Sequence, residues 1–205
     1  MIESLENAAQ LTALFICLCV AVPRAFTNRS RAWVLLAFFF GSFMLGDLYW
    51  QACLIFYEDT PAVSVVSDVS WYASYVFLYM LLREVSPPEK IRKKNLLPYA
   101  GPVFAAGMAV FFMQWGKYFS NAVTGALMGL LLYASIIRLL PGNENGRSRS
   151  LPLCVLLFCL AEHAVWTASC FWEYDTLLNP YYWFDIFVSL LFFFFLSAVR
   201  KAVEK

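Results

Sequence analysis

Residues 33–56 read WVLLAFFFGSFMLGDLYWQACLIF, and a single charged side chain, Asp47, interrupts them. A helix of that length reaches about 36 Å at the standard rise. The hydrocarbon core of a bilayer is about 30 Å thick, so the stretch reads as a membrane span with an acid near its middle. Six further apolar runs have the same character, roughly 8–23, 63–82, 96–114, 119–139, 151–172 and 180–199. The composition agrees, at 61% hydrophobic and 14% charged over 205 residues, with a mean hydropathy of +0.65. A soluble domain is about 45–50% apolar and about 25% charged. This chain has too little polar surface to coat a water-soluble globule, and disorder, collagen and a disulfide-stapled scaffold are excluded.

The expected fold class is therefore an all-α integral membrane protein of seven transmembrane helices, with residues 1–205 forming one polytopic domain. Short loops and tails take up the rest, so no soluble output module is expected. The first span opens on Met1-Ile-Glu-Ser-Leu-Glu6, acidic where a secretory signal is basic, and is expected to stay as a helix. The six cysteines, at 17, 19, 53, 154, 159 and 170, all fall within spans and read as small buried hydrophobes. No disulfide framework, metal site or cofactor is expected.

Lys and Arg set the orientation. Arg24, Arg29 and Arg31 follow span 1, and Arg83, Lys90, Arg92, Lys93 and Lys94 follow span 3. Arg138, Arg147 and Arg149 follow span 5, and Arg200, Lys201 and Lys205 follow span 7. That sorts 14 of the 15 basic residues to one side, with Lys117 alone opposite. Glu3, Glu6, Glu58, Asp59, Glu173 and Asp175 occupy the other side. The expectation is an outer N-terminus and a cytoplasmic C-terminus. Basic residues at the inner face are explained by topology, so no nucleic-acid partner is expected.

The chain also reads as two copies of a three-helix unit. Asn7-Ala-Ala leads to Arg24 and Asn121-Ala-Val leads to Arg138, each 17 residues on. Each copy passes a polar loop and enters a span carrying a central acid, Asp47 or Glu162. Nine residues later come Phe56-Tyr-Glu-Asp and Phe171-Trp-Glu-Tyr-Asp, then Pro61 or Pro180, then Asp68 or Asp185. This predicts a 3+1+3 parallel repeat: about 7–84, a connector helix at about 96–114, and about 119–202.

An ionised side chain at bilayer centre costs about 2.5–3.5 kcal/mol on insertion scales. No Lys or Arg sits in the interior of a span to neutralise Asp47, Asp68, Glu162 or Asp185. These acids must be protonated, hydrogen-bonded, wetted by a cavity or paired with a bound cation. Asp47 and Glu162 lie about 13–15 Å below the outer surface, near the midplane. A structural hydrogen bond to a facing Tyr or Trp is the other reading of these two. Asp68 and Asp185 lie near outer helix ends, where they either line a mouth or serve as first-turn acids. Trp50, Tyr72, Tyr75 and Trp166 fall mid-span, beyond the interfacial belt that accounts for Trp33, Trp115, Tyr181, Tyr182 and Trp183. Aromatic walls with carboxylates suit an organic cation, and they also suit plain packing. His163, the sole histidine, reads as a hydrogen-bonding core residue, a ligand contact or a proton relay.

Three resemblances add to this. The pattern Asp47-Leu-Tyr, Pro61 and Ser67-Asp-Val-Ser-Trp71-Tyr with Tyr75 resembles membrane sensor modules fused to bacterial diguanylate cyclases and histidine kinases. Gly46-Asp47 resembles the Gly-Asp helix of the lysoplasmalogenase family of intramembrane hydrolases, which implies Asp47 and Glu162 as a catalytic pair acting on lysolipid. The 3+1+3 layout is similar to SWEET-type sugar transporters and nicotinamide riboside permeases.

The leading expectation is a bacterial plasma-membrane protein binding a small, cationic solute for transport in an outward-opening acidic and aromatic cavity. Its ligand contacts would be Asp47, Glu162, Asp68, Asp185, His163, Trp50, Tyr72, Tyr75 and Trp166. The alternatives are a lysolipid hydrolase and a sensor or partner subunit without catalysis. The partners expected are the lipid bilayer and a small-molecule ligand.

Overall fold

The structure, a computed structural model, describes residues 2–57, 63–86, 95–140, 149–172 and 174–203. Glu58, Asp59, Pro61, Glu173, Lys205 and the basic residues at 90–94 and 147 lie outside the described residues. Seven helices are long and apolar enough to cross a membrane. They are α1 (Ile2–Asn28), α2 (Arg31–Tyr57), α3 (Val65–Val85), α4 (Ala100–Phe112), α5 (Tyr118–Leu139), α6 (Ser150–Phe171) and α7 (Pro180–Val203). Single 3₁₀ turns, Leu97–Tyr99 and Met113–Trp115, extend α4 at both ends. The chain is a multi-pass membrane protein.

Helix ends follow local chemistry. Pro180 opens α7, where its missing N–H has no partner to lose. Leu140, the residue before Pro141, turns extended and ends α5. Arg29 takes a left-handed conformation between α1 and α2. Gly116 (φ 88°) and Lys117 (φ 50°) take successive positive-φ conformations in the turn from α4 to α5. Gly116 has no Cβ to resist that geometry. The first helix begins earlier than hydropathy alone predicts, at Ile2 rather than near residue 8, so Glu6 and Asn7 join Gln10 as buried helical residues.

Six helices form a closed ring. Around it α1 packs on α2, α2 on α3, α3 on α5, α5 on α6, α6 on α7, and α7 back on α1. The fourth helix lies outside the ring, chiefly against α5. Lipid gives helices little hydrophobic reason to associate, so close backbone approach through small residues matters. On this contact Gly101, Gly125 and Gly129 of α5's side and α4 meet Leu132, Ala109 and Pro102 across the interface. A Cβ on Gly125 would lie 2.6 Å from that of Ala109.

Inside the ring sits a dry aromatic cluster. Phe39, Phe40 and Phe43 of α2, Phe158 of α6, and Phe192 and Phe195 of α7 are all buried. Their rings meet edge-on or tilted, with centroids 5.3–6.3 Å apart. Such arrangements contribute about 0.5–1.5 kcal/mol per pair beyond area burial. Exposed Leu45, Leu48, Ile55, Phe187 and Phe194 cover the outer faces, as lipid contact requires. At the arginine-bearing end, Arg138 donates to the carbonyls of Ser86 and Ala134, joining α5 to the end of α3. Arg24 stacks on Trp33, 4.9 Å from the ring centroid.

Candidate functional site

The aromatic cluster fills one half of the ring and leaves a cavity of about 280 Å³ in the other. The cavity reaches the end of the bundle where Trp115, Gly116 and Lys117 turn from α4 into α5. Arg24, Arg83, Arg138 and Arg200 lie at the opposite helix ends. Phe43 belongs both to the cluster and to the cavity wall, and so forms the floor.

Four carboxyls line this space: Asp47, Glu162, Asp185 and Asp68. Asp47 is 4% exposed and sits on α2, ten residues from its end at Tyr57. Its Oδ1 accepts a hydrogen bond from Trp71 Nε1 at 2.9 Å, whereas Oδ2 has no donor among the described residues. Gly46 makes this contact possible, because a Cβ there would stand 2.6 Å from Trp71 Nε1. Trp71 in turn leans on Trp50, with ring centroids 6.0 Å apart.

Glu162 is 6% exposed, nine residues from the end of α6 at Phe171. Tyr75 donates its hydroxyl to Glu162 Oε2 at 3.1 Å. Tyr75 is itself fully buried and stands behind the carboxyl, against Phe158. The hydrogen bonds that the sequence offered as a structural alternative are thus present, and the same two acids also face one shared cavity.

Asp185 accepts from Gln10 Nε2 at 2.8 Å. Beside it stands the carboxyl of Glu6, which is 7% exposed and receives no hydrogen bond on either oxygen from an N–H or hydroxyl donor among the described residues. Asp68 lies at the mouth, with Ser64 Oγ donating to Oδ2 at 3.0 Å.

The remaining expected residues divide. Trp50 and Trp166 line the cavity, and Trp166 also meets Phe112 at 5.9 Å. Tyr72 bonds Ser120 Oγ at 2.7 Å, and it is Ser120 that reaches the lining. His163 turns away from the main cavity into a small crevice with Thr124, Gly125 and Met128. Its Nδ1 lies 2.7 Å from the Cys159 carbonyl, which only accepts, so Nδ1 carries the hydrogen. Its ring rests on Phe104 at 5.1 Å.

Several lining residues were outside the sequence reading of the site: Asn7, Gln10, Asn121, Phe43, Phe112, Trp71, Tyr181 and Trp115. Trp115 and Tyr181 read as belt residues, yet both reach the cavity. The α1 residues carried a usable signal, since Glu3, Glu6, Asn7 and Gln10 recur at helical spacing i, i+3, i+4 and i+7.

No family model matches the chain, and no curated protein or solved structure matches it either.

Proposed function

We propose that the protein binds a small organic cation in this cavity and carries it across the membrane. The observation that supports this reading is the lining itself. Asp47, Glu162, Asp185 and Asp68 meet the indoles of Trp50, Trp71, Trp115 and Trp166, with Lys117 the one basic residue among the described residues of the lining. Carboxylates supply charge pairing and the ring faces supply cation–π contact, worth up to about 2 kcal/mol each when desolvated. A volume of about 280 Å³ suits a metabolite-sized solute.

The sorting of arginines and lysines supports a mouth that faces away from the cytoplasm. The ring order supports the internal duplication: exchanging α1–α3 with α5–α7 maps the α1–α7 contact onto α5–α3. Asn7 and Asn121 support it too, each lining the cavity and each donating Nδ2 to a backbone carbonyl one turn back. In such repeats the site lies between the halves.

Flux of radiolabelled organic cations into proteoliposomes tests the reading. Asp47→Asn and Glu162→Gln are expected to lower uptake at least tenfold; unchanged flux in both removes the assignment. A second reading, hydrolysis of a lysolipid by Asp47 and Glu162, draws support from the fact that both carboxyls open on one cavity. Product analysis after incubation with lysolipid separates the two, since the transport reading expects no turnover.

A further inference from the structure

Glu6 is the carboxyl whose surroundings leave it least provided for. Asp47, Glu162 and Asp185 each receive one hydrogen bond, from Trp71, Tyr75 and Gln10. Among the described residues Glu6 receives none on either oxygen although it is only 7% exposed, and what it meets is the Asp185 carboxyl. Two carboxylates brought together in a dry place repel, and neither offers a donor to the other. A single proton held between them removes the repulsion and supplies the missing donor.

Every titratable group that faces the pair among the described residues is an acid or a phenol. They are Glu3 on α1, Asp47 on α2, Glu162 on α6, and Tyr181 and Tyr182 on α7. No cation within that set takes over the role of the proton. The pair is also connected to the cavity: Asp185 lines it, and Gln10, which bonds Asp185, lines it as well. Asp47 carries a second orphaned oxygen, Oδ2, on the same cavity.

We propose that Glu6 and Asp185 share one proton in the empty protein, and that a cation entering the cavity drives this proton out, so that solute binding is an exchange of one cation for one H⁺. The inference rests on the reading of the cavity as a cation site. The balance is simple: the cation enters, the Glu6–Asp185 proton leaves to water, no other bond is made or broken, and the net charge of the site is unchanged. The same exchange couples solute movement to a proton gradient.

The test uses the purified full-length chain in detergent micelles, with choline and tetraethylammonium as probes and sodium chloride as the ionic-strength control. Binding is read from tryptophan fluorescence, because four indoles line the cavity. Proton release is read with a pH indicator in weakly buffered solution. The expected result is release of about one proton per cation bound, with affinity falling about tenfold per unit of acidification. Glu6→Gln keeps a donor beside Asp185 and removes the exchangeable proton. Glu6 does not line the cavity, so this variant is expected to bind the cation still, with no proton released and a flat pH profile. Cation binding by the wild type without proton release overturns the exchange and leaves the cation site standing. Full release from Glu6→Gln overturns the assignment to this pair. Failure of every organic cation to bind removes the cation site, and the exchange with it. If Glu6→Gln does not fold, Glu6→Asp, which keeps the carboxyl but shortens its reach to Asp185, is read in its place, and a proton count and pH midpoint unchanged from the wild type overturn the assignment to this pair.

Discussion

Replacing Gly46 by alanine adds one methyl group next to the acid at the centre of the cavity. The new Cβ would lie 2.6 Å from Trp71 Nε1, 2.9 Å from Cδ1 and 3.1 Å from Cε2. Carbon contacts settle at about 3.5–4.0 Å, so the indole must retreat by about 1 Å. The Trp71 Nε1 to Asp47 Oδ1 hydrogen bond, 2.9 Å long, would then exceed hydrogen-bonding range. Losing a hydrogen bond to a carboxylate costs about 1.5–3 kcal/mol. Overpacking adds about 1–3 kcal/mol. Alanine returns about 1 kcal/mol through its better helix propensity. The expected net loss is about 1.5–5 kcal/mol.

Gly41 on the same helix is the internal control. Its nearest neighbour to an added Cβ is Leu18 Cδ1 at 4.0 Å, so Gly41→Ala is expected to be neutral or to stabilise by up to about 1 kcal/mol. Unfolding in mixed detergent, followed by circular dichroism, measures both. The sharper test is a double-mutant cycle with Trp71→Leu, which removes the indole. In that background Gly46→Ala is expected to lose its penalty. Equal stability of the Gly46→Ala and Gly41→Ala proteins, or an undiminished penalty beside Leu at position 71, would refute the account of why a glycine precedes Asp47.

Tyr75→Phe removes the donor to Glu162 in a fully buried place and is expected to cost about 1–3 kcal/mol in the same unfolding assay, whereas Tyr72→Phe loses only a half-buried bond to Ser120 and costs about 1 kcal/mol or less. Gly125→Leu drives a side chain into Ala109 and is expected to destabilise by about 1–3 kcal/mol, while Gly107→Ala meets nothing within 4 Å and is expected to be neutral or stabilising. Cys170 lines the cavity while Cys17, Cys53 and Cys159 are buried, so a membrane-impermeant cationic thiol reagent is expected to label Cys170 from the side bearing the N-terminus, and more slowly in Asp47→Asn. Labelling only from the arginine-bearing side would invert the orientation.

Much of this arrangement was legible in the sequence because hydrocarbon imposes coarse rules. Span lengths, the depth of Asp47 and Glu162, and their need for partners all follow from the cost of bare polar groups in lipid. Asp47 and Glu162 open on one cavity. What hydropathy hid was the acidic start of α1. Averaging over a window ends the first span near residue 8, because Glu3 and Glu6 lower the mean, whereas the backbone continues helical to Ile2. The loop before α7 helps to hold that end: Asp175 accepts from the N–H groups of Ile2 and Glu3 and from the Tyr182 hydroxyl at 3.1, 3.2 and 2.6 Å. A contact across about 170 positions leaves no local trace. His163 illustrates the converse. Its neighbour Glu162 faces the main cavity, but one step along a helix rotates a side chain by about 100°, so His163 drops out of that lining and meets Glu162 only at the small crevice beside it.

The position of the aromatic cluster sets what transport would demand. Among the described residues the cavity's lining reaches the end at Trp115, Gly116 and Lys117, and beneath it Phe39, Phe43, Phe158, Phe192 and Phe195 interlock on three helices. A cation leaving toward the arginine-bearing end must part these rings, which requires α2, α6 and α7 to move as units because tightly packed side chains resist gradual deformation. The sensor alternative needs no such passage, since occupancy of the cavity could end its work there. Substituting Phe158 by alanine therefore separates the readings. It opens the middle of the cluster without touching any carboxyl. A carrier so altered is expected to leak the cation without coupling to the proton gradient, whereas a receptor is expected to bind as before and conduct nothing. Measuring both flux and binding in the Phe158→Ala protein, alongside an unaltered control, tells a gated pathway from a closed binding pocket.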